Sequence, residues 1–167
     1  SLAIDNNTFD ASAKIVNSAE YVGGVAGYVD AYDNAHVQAN NNFVNGTVGG
    51  SEGELLARNT DYYLGRVVGF LYCYTYYSPS GNCVFNNNTN NSEIYTNDDY
   101  SGGVIGYVEN YGNLVISNNT NTGTIHSDNS NYGGYNGGMV GELYSYNYDS
   151  DVNTVTTIQN NTNSGQV

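Results

Sequence analysis

Two short strings alternate along this chain, and their repetition constrains the fold more than any other feature. The first reads Gly-Gly-Val-Ala-Gly-Tyr-Val at 23–29. It returns as Gly-Arg-Val-Val-Gly-Phe-Leu at 65–71, Gly-Gly-Val-Ile-Gly-Tyr-Val at 102–108 and Gly-Gly-Met-Val-Gly-Glu-Leu at 137–143. The second is clearest as Ile-Ser-Asn-Asn-Thr-Asn-Thr-Gly-Thr-Ile at 116–125, with relatives beginning at Ile4, Ala39, Phe85 and Ile158. The glycine at the centre of the first string sits at 27, 69, 106 and 141, giving steps of 42, 37 and 35 residues. Constant strings at variable spacing describe a regular scaffold with loop insertions, and a period in this range is the mark of stacked repeats. The segments 51–61 and 144–153 are the expected insertions.

No apolar pattern at helical spacing persists along the chain, while short β-rich runs bounded by Gly and Asn recur throughout. The predicted fold is all-β, a parallel β-solenoid of about four stacked repeats forming one domain: a leading half repeat over 1–20, then repeats over about 21–61, 62–98, 99–134 and 135–167. Equivalent residues of successive coils lie about 4.8 Å apart in such a stack. Val25, Val67, Val104 and Met139 should form one apolar column. Val29, Leu71, Val108 and Leu143 should form a second, and Val48, Ile94, Ile125 and Val167 a third. Gly27, Gly69, Gly106 and Gly141 mark places where the backbone bends or packs too closely for a side chain. About 40 residues per repeat fit one large coil or two small ones. Disorder is the competing reading for a chain so rich in Gly and Asn. The 18 Tyr, the many Val and Ile, and the single Pro argue against it.

The alternation of Gly-Gly-x-x-Gly-x-Val with x-Ile-x-Asn-x-x-x-x-Gly-x-Ile resembles the GLUG repeat of large secreted and surface proteins, many of them adhesin-like. Arg66 departs from that pattern at the second Gly, and Asn-Asn stands where Asn-Ser is usual. The resemblance implies a solenoid in an extracellular or cell-surface setting and supplies no catalytic residues.

Charge excludes some partners. Three Lys+Arg against 16 Asp+Glu give a formal net charge of −13. Nucleic acid and anionic lipid require clustered cations, and Lys14, Arg58 and Arg66 are far apart in sequence. No apolar run approaches the roughly 20 residues needed to span a bilayer, so no membrane insertion is expected. The chain lacks an initiator Met and a signal-peptide pattern, which reads as a mature product or an excised piece. Cys73 and Cys83 flank the turn signal Ser78-Pro79-Ser80-Gly81. Strands folding back over that turn would bring the sulfurs together as a disulfide, while two buried free thiols are the alternative.

Six Asn-x-Ser/Thr sequons, Asn6, Asn45, Asn87, Asn90, Asn118 and Asn160, are candidate N-glycosylation sites. Asn6, Asn87, Asn118 and Asn160 fall in one column of the repeat, where a buried amide ladder competes with glycan attachment. Of Asn118 and Asn119, one should point inward and the other outward. Asn45 and Asn90 lie off that column and look like the better acceptors. Tyr72, Tyr74 and Tyr76, and again Tyr144, Tyr146 and Tyr148, alternate with other residues and form aromatic rows. Such rows suit loop cover, subunit contact or sugar stacking.

Asp98 with Asp99, Asp149 with Asp151, and Glu52 with Glu54 are the carboxylate pairs nearest to a glycosidase arrangement. Cleavage needs two carboxylates about 5–9 Å apart across a groove, and these read as solvated loops. Calcium is a lesser reading for the same clusters. His36 and His126 read as isolated surface residues, so no metal site and no cofactor are expected. The favoured function is a non-enzymatic structural or adhesive module that self-associates head to tail or belongs to a longer parent chain. The alternative is a carbohydrate-binding or polysaccharide-cleaving β-helix. An ice-binding array has only Thr122 with Thr124 in its favour.

Overall fold

The computed structural model describes residues 1–15, 20–48, 63–74, 81–96, 100–127, 134–147 and 154–167. Every regular element among them is a strand. The first coil comprises β1 (Leu2–Asp5), β2 (Thr8–Phe9), β3 (Lys14–Ile15), β4 (Tyr21–Gly23) and β5 (Ala26–Tyr32). The second comprises β6 (His36–Asn40), β7 (Phe43–Val44), β8 (Thr47–Val48), β9 (Tyr63–Gly65) and β10 (Val68–Tyr74). β11 (Asn82–Asn86), β12 (Thr89–Asn90), β13 (Ile94–Thr96), β14 (Tyr100–Gly102) and β15 (Ile105–Asn110) form the third. β16 (Asn113–Ser117), β17 (Thr120–Asn121), β18 (Ile125–Ser127), β19 (Tyr135–Gly137) and β20 (Val140–Ser145) form the fourth, and β21 (Thr156–Gln159) with β22 (Thr162–Asn163) open a fifth.

Each strand pairs with its equivalents one coil away, always in parallel, so five sheets run along the stack. The first sheet takes β1, β6, β11, β16 and β21; the second β2, β7, β12, β17 and β22; the third β3, β8, β13 and β18. The fourth holds β4, β9, β14 and β19, and the fifth β5, β10, β15 and β20. The fold is therefore an all-β parallel solenoid with one large coil per repeat. The Asn-rich string supplies the first three sheets, and the Gly-rich string spans the fourth and fifth.

Register follows the sequence repeat. Ile4 pairs with Ala39, Ala39 with Phe85, Phe85 with Ile116 and Ile116 with Ile158. Val29, Leu71, Val108 and Leu143 align across the fifth sheet. Val25, Val67, Val104 and Met139 are joined successively by main-chain bonds of 2.9–3.1 Å. Ile15, Val48, Ile94 and Ile125 form the third column, and Ile125 N–H donates to Gln166 O at 2.9 Å, placing Val167 next in line. The inward side chains of these columns merge into one continuous core. Each fully buried Val, Leu or Ile contributes about 1.5–3 kcal/mol. No single coil can shield its own apolar face, so the stack is the unit of stability.

Gly69 shows why its column admits no side chain. A Cβ there would stand 2.6 Å from the carbonyl oxygens of both Gly27 and Val22. Cys73 and Cys83 form a disulfide, with Cα atoms 6.3 Å apart and both residues fully buried. Its setting differs from a strand folding back on itself. β10 and β11 belong to different sheets, and the bond closes the corner at which the second coil passes into the third.

Candidate functional site

Linear arrays of asparagine and of aromatic rings run along the stack. Asn6, Asn41, Asn87, Asn118 and Asn160 share a left-handed backbone, with φ between 55° and 59°. This turns the chain sharply between the first and second sheets. Asn tolerates that region better than other side-chain-bearing residues. The turn sends this column outward and the following residue inward.

The ladder therefore lies one position beyond the sequon column, on Asn7, Asn42, Asn88, Asn119 and Asn161; its three middle rungs are buried, Asn161 is half-buried and Asn7 is exposed. Asn7 Nδ2 donates to Asn42 Oδ1, Asn42 to Asn88, Asn88 to Asn119 and Asn119 to Asn161, each at 2.9 Å. The same oxygens accept from the backbone N–H of the preceding rung at 2.9–3.1 Å. Each Nδ2 from Asn42 onward also donates to a carbonyl of the preceding coil, such as Asn88 to Ala39 O at 2.8 Å. The amides thus satisfy one another and the main chain away from water.

Asn90 proves to be a ladder residue, not an exposed acceptor. It is fully buried, donates to Asn121 Oδ1 at 2.6 Å and to Ser92 O at 3.1 Å, and accepts from Ser92 N–H at 3.1 Å. Asn121 donates in turn to Asn163 Oδ1 at 2.8 Å. This shorter ladder occupies the column that Phe9 and Val44 fill in the first two coils. Its sequon disguised a core position. Asn45 is exposed, as are Asn6, Asn87, Asn118 and Asn160. From the exposed column, Asn87 Nδ2 donates to Asn41 Oδ1 at 2.7 Å, and Asn118 Nδ2 donates to Asn86 Oδ1 at the end of β11 at 2.8 Å.

Beside the shorter ladder sits the irregular residue of the Gly-rich string. A Cβ on Gly103 would lie 2.5 Å from Asn121 Cγ, and one on Gly138 would lie 2.3 Å from Asn163 Cγ. Arg66 occupies the equivalent place in the second coil. It is fully buried, and its Nε, Nη1 and Nη2 make no hydrogen bond. Burial pushes its pKa down to about 9, a fall opposed by the charge of Glu93.

Aromatic rings cover the outside of the fourth and fifth sheets. Tyr21, Tyr63, Tyr100 and Tyr135 stack in one column, with centroids 5.4, 5.1 and 5.4 Å apart and planes within 10°. Tyr28, Phe70 and Tyr107 form a second column at 5.2 and 5.1 Å. The columns interlock edge to face, as Tyr63 does with Phe70 at 4.9 Å. This array was missed in the sequence, although Tyr-x-Gly recurs at 21–23, 63–65, 100–102 and 135–137. Of the expected rows, Tyr72 stacks on Tyr74 at 5.9 Å and Tyr144 on Tyr146 at 6.5 Å, while Tyr111 bridges them through Tyr74 and Tyr144. Tyr76 and Tyr148 lie outside the described residues. Desolvation, reinforced by carboxylates including Glu109 and Glu142, pushes the Tyr107 phenol up to about 12. Tyr21 also reaches about 12, through desolvation and Glu20.

Asp98, Asp99, Asp149, Asp151, Glu52 and Glu54 lie outside the described residues. Among the described residues, no group of three or more His, Cys, Asp or Glu could hold a metal ion. The histidines have neighbours: His36 Nδ1 lies 3.0 Å from Asn82 Oδ1, and His126 stacks on Tyr95 at 4.3 Å, with Nε2 3.6 Å from Glu93. No helix among the described residues is long and apolar enough to cross a membrane. Compared with known proteins, the chain matches no family model, no curated protein and no solved structure.

Proposed function

We propose that this chain is a non-enzymatic structural or adhesive module of an extracellular surface, extended by further coils stacked on its ends. The Asn7-to-Asn161 ladder carries this reading. Each rung donates forward and accepts from behind, so the series has a polarity. Asn7 offers an acceptor oxygen at one end and Asn161 a backbone donor at the other. Leu2 and Ile158 leave apolar columns exposed at the same two ends. A further coil, from flanking sequence or from a second copy, would pair main chain to main chain there. The buried disulfide suits an oxidising compartment. Exposed sequons suit a glycosylated outer surface, as the resemblance to secreted GLUG-repeat proteins implies.

Electron microscopy and sedimentation of the purified chain at high concentration test the reading. Linear assemblies that Leu2→Asp and Ile158→Asp variants disperse are expected. Monodisperse monomers at every concentration count against end-to-end assembly. Release of reducing ends from a polysaccharide panel would replace the proposal with the carbohydrate-cleaving alternative.

A further inference from the structure

The tyrosine face carries a chemistry that neither stacking nor adhesion requires. Within each column the rings lie face to face, so the faces of interior members are covered by their neighbours. A phenol's edge holds its oxygen and the two adjacent Cε carbons, where a tyrosyl radical concentrates its spin and forms bonds. Tyr28, Tyr32, Tyr135, Tyr144 and Tyr146 are 45–55% exposed. Ring-to-ring contacts of 5–6 Å connect Tyr135 with the first column, and Tyr32 with Tyr72 and Tyr74.

Two further observations point the same way. Competing oxidisable side chains are scarce: there are 18 Tyr but no Trp and one Met, and both Cys are held in the disulfide. Met139 is packed against the core. A carboxylate also lies beside one of these rings: Glu109 aligns with Tyr144 and accepts at 2.5 Å from Oη of Tyr111, whose ring packs against Tyr144. A phenol gives up its electron more readily when a neighbouring base takes the proton.

We propose that this face is a site of oxidative cross-linking, at which exposed tyrosines of two copies couple through their Cε carbons when a haem peroxidase and hydrogen peroxide are supplied. Each phenol loses its hydroxyl hydrogen, the electron going to the oxidised haem and the proton to a carboxylate or water. The two radicals form one Cε–Cε bond, and each displaced ring hydrogen returns to its oxygen. The net change is one C–C bond in place of two ring C–H bonds. The two electrons and two protons reduce one hydrogen peroxide to two waters. Neighbouring solenoids become fastened side by side, independently of what their ends bind.

The test treats the folded chain with a haem peroxidase and hydrogen peroxide, then follows dityrosine fluorescence, covalent dimers on denaturing gels and linkage sites by peptide mapping. Linkages concentrated on Tyr28, Tyr32, Tyr135, Tyr144 and Tyr146 are expected. Changing all five to Phe should give a severalfold loss of dimer while the circular dichroism is retained. Linkages mapping mainly to other tyrosines in the unaltered chain overturn the proposal. So does a urea-unfolded chain that couples as fast as the folded one.

Discussion

Ser145 Oγ lies 3.0 Å from Thr156 Oγ1, at the corner between the fifth and first sheets that Cys73 and Cys83 close two coils earlier. Register makes the two pairs equivalent, since Cys73 aligns with Asn110 and Asn110 with Ser145, while Cys83 aligns with Leu114 and Leu114 with Thr156. Between them, Asn110 Nδ2 donates to both hydroxyls, at 3.2 and 3.0 Å. One corner of the stack is thus closed by a covalent bond in one coil and by hydroxyls in another.

A Ser145→Cys, Thr156→Cys double variant should therefore form a second disulfide. The loop it closes is close in length to the native one, so a gain of about 2–3 kcal/mol is expected. Non-reducing mass spectrometry detects the bond, and thermal unfolding with and without reductant measures its contribution.

Asn88→Ala removes a central rung. It strands the Asn42 donors and takes a donor from the Ala39 carbonyl, while Asn119 Oδ1 keeps the backbone N–H of residue 88, and the expected loss is about 2–4 kcal/mol. Asn87→Gly, one residue earlier, keeps a backbone suited to positive φ and should change stability by less than about 0.5 kcal/mol. Denaturant unfolding of the two variants separates them.

Arg66→Met puts an apolar side chain of similar length in place of a buried guanidinium that has no hydrogen-bond partner. Even with its pKa pulled down to about 9, the guanidinium is charged at neutral pH. A gain of about 1–4 kcal/mol is expected, read as a higher Tm. Unchanged or lower stability would mean that the guanidinium is compensated in solution.

Alkaline pH should loosen the tyrosine face. Tyr21 and Tyr107 hold their protons to about pH 12 when folded, against an ordinary value of 10.0. Their contribution is complete below pH 10. Between pH 10 and 12 the unfolded chain binds fewer protons than the folded one, so stability falls as pH rises. Tyr107→Phe should make that fall shallower in a series of unfolding curves across this range.

Expression through a eukaryotic secretory route should give folded protein glycosylated at Asn45 and unmodified at Asn90, whose amide is committed to Asn121 and Ser92. Coils about 4.8 Å apart also leave too little room for glycans on both Asn87 and Asn118 of one molecule. Glycopeptide mapping of the secreted material checks both expectations.

The recurrence of Val67, Val104 and Gly106 within one string was enough to place them in columns, because parallel stacking sets like against like and the sequence period is the spatial period. What each column faces depended on the backbone between the strings. The left-handed turn at Asn118 sends it outward and Asn119 inward, and two adjacent, identical residue types carry no sign of which way that turn goes. Asn90 shows the same gap, since its sequon is a local pattern while its burial comes from Asn121 one coil away. The turn signal between Cys73 and Cys83 favoured a disulfide over free thiols, but the bond and its position at a corner between sheets required the coil geometry. The aromatic face emerged only in three dimensions, where residues 35–42 positions apart in the chain come to lie about 5 Å apart.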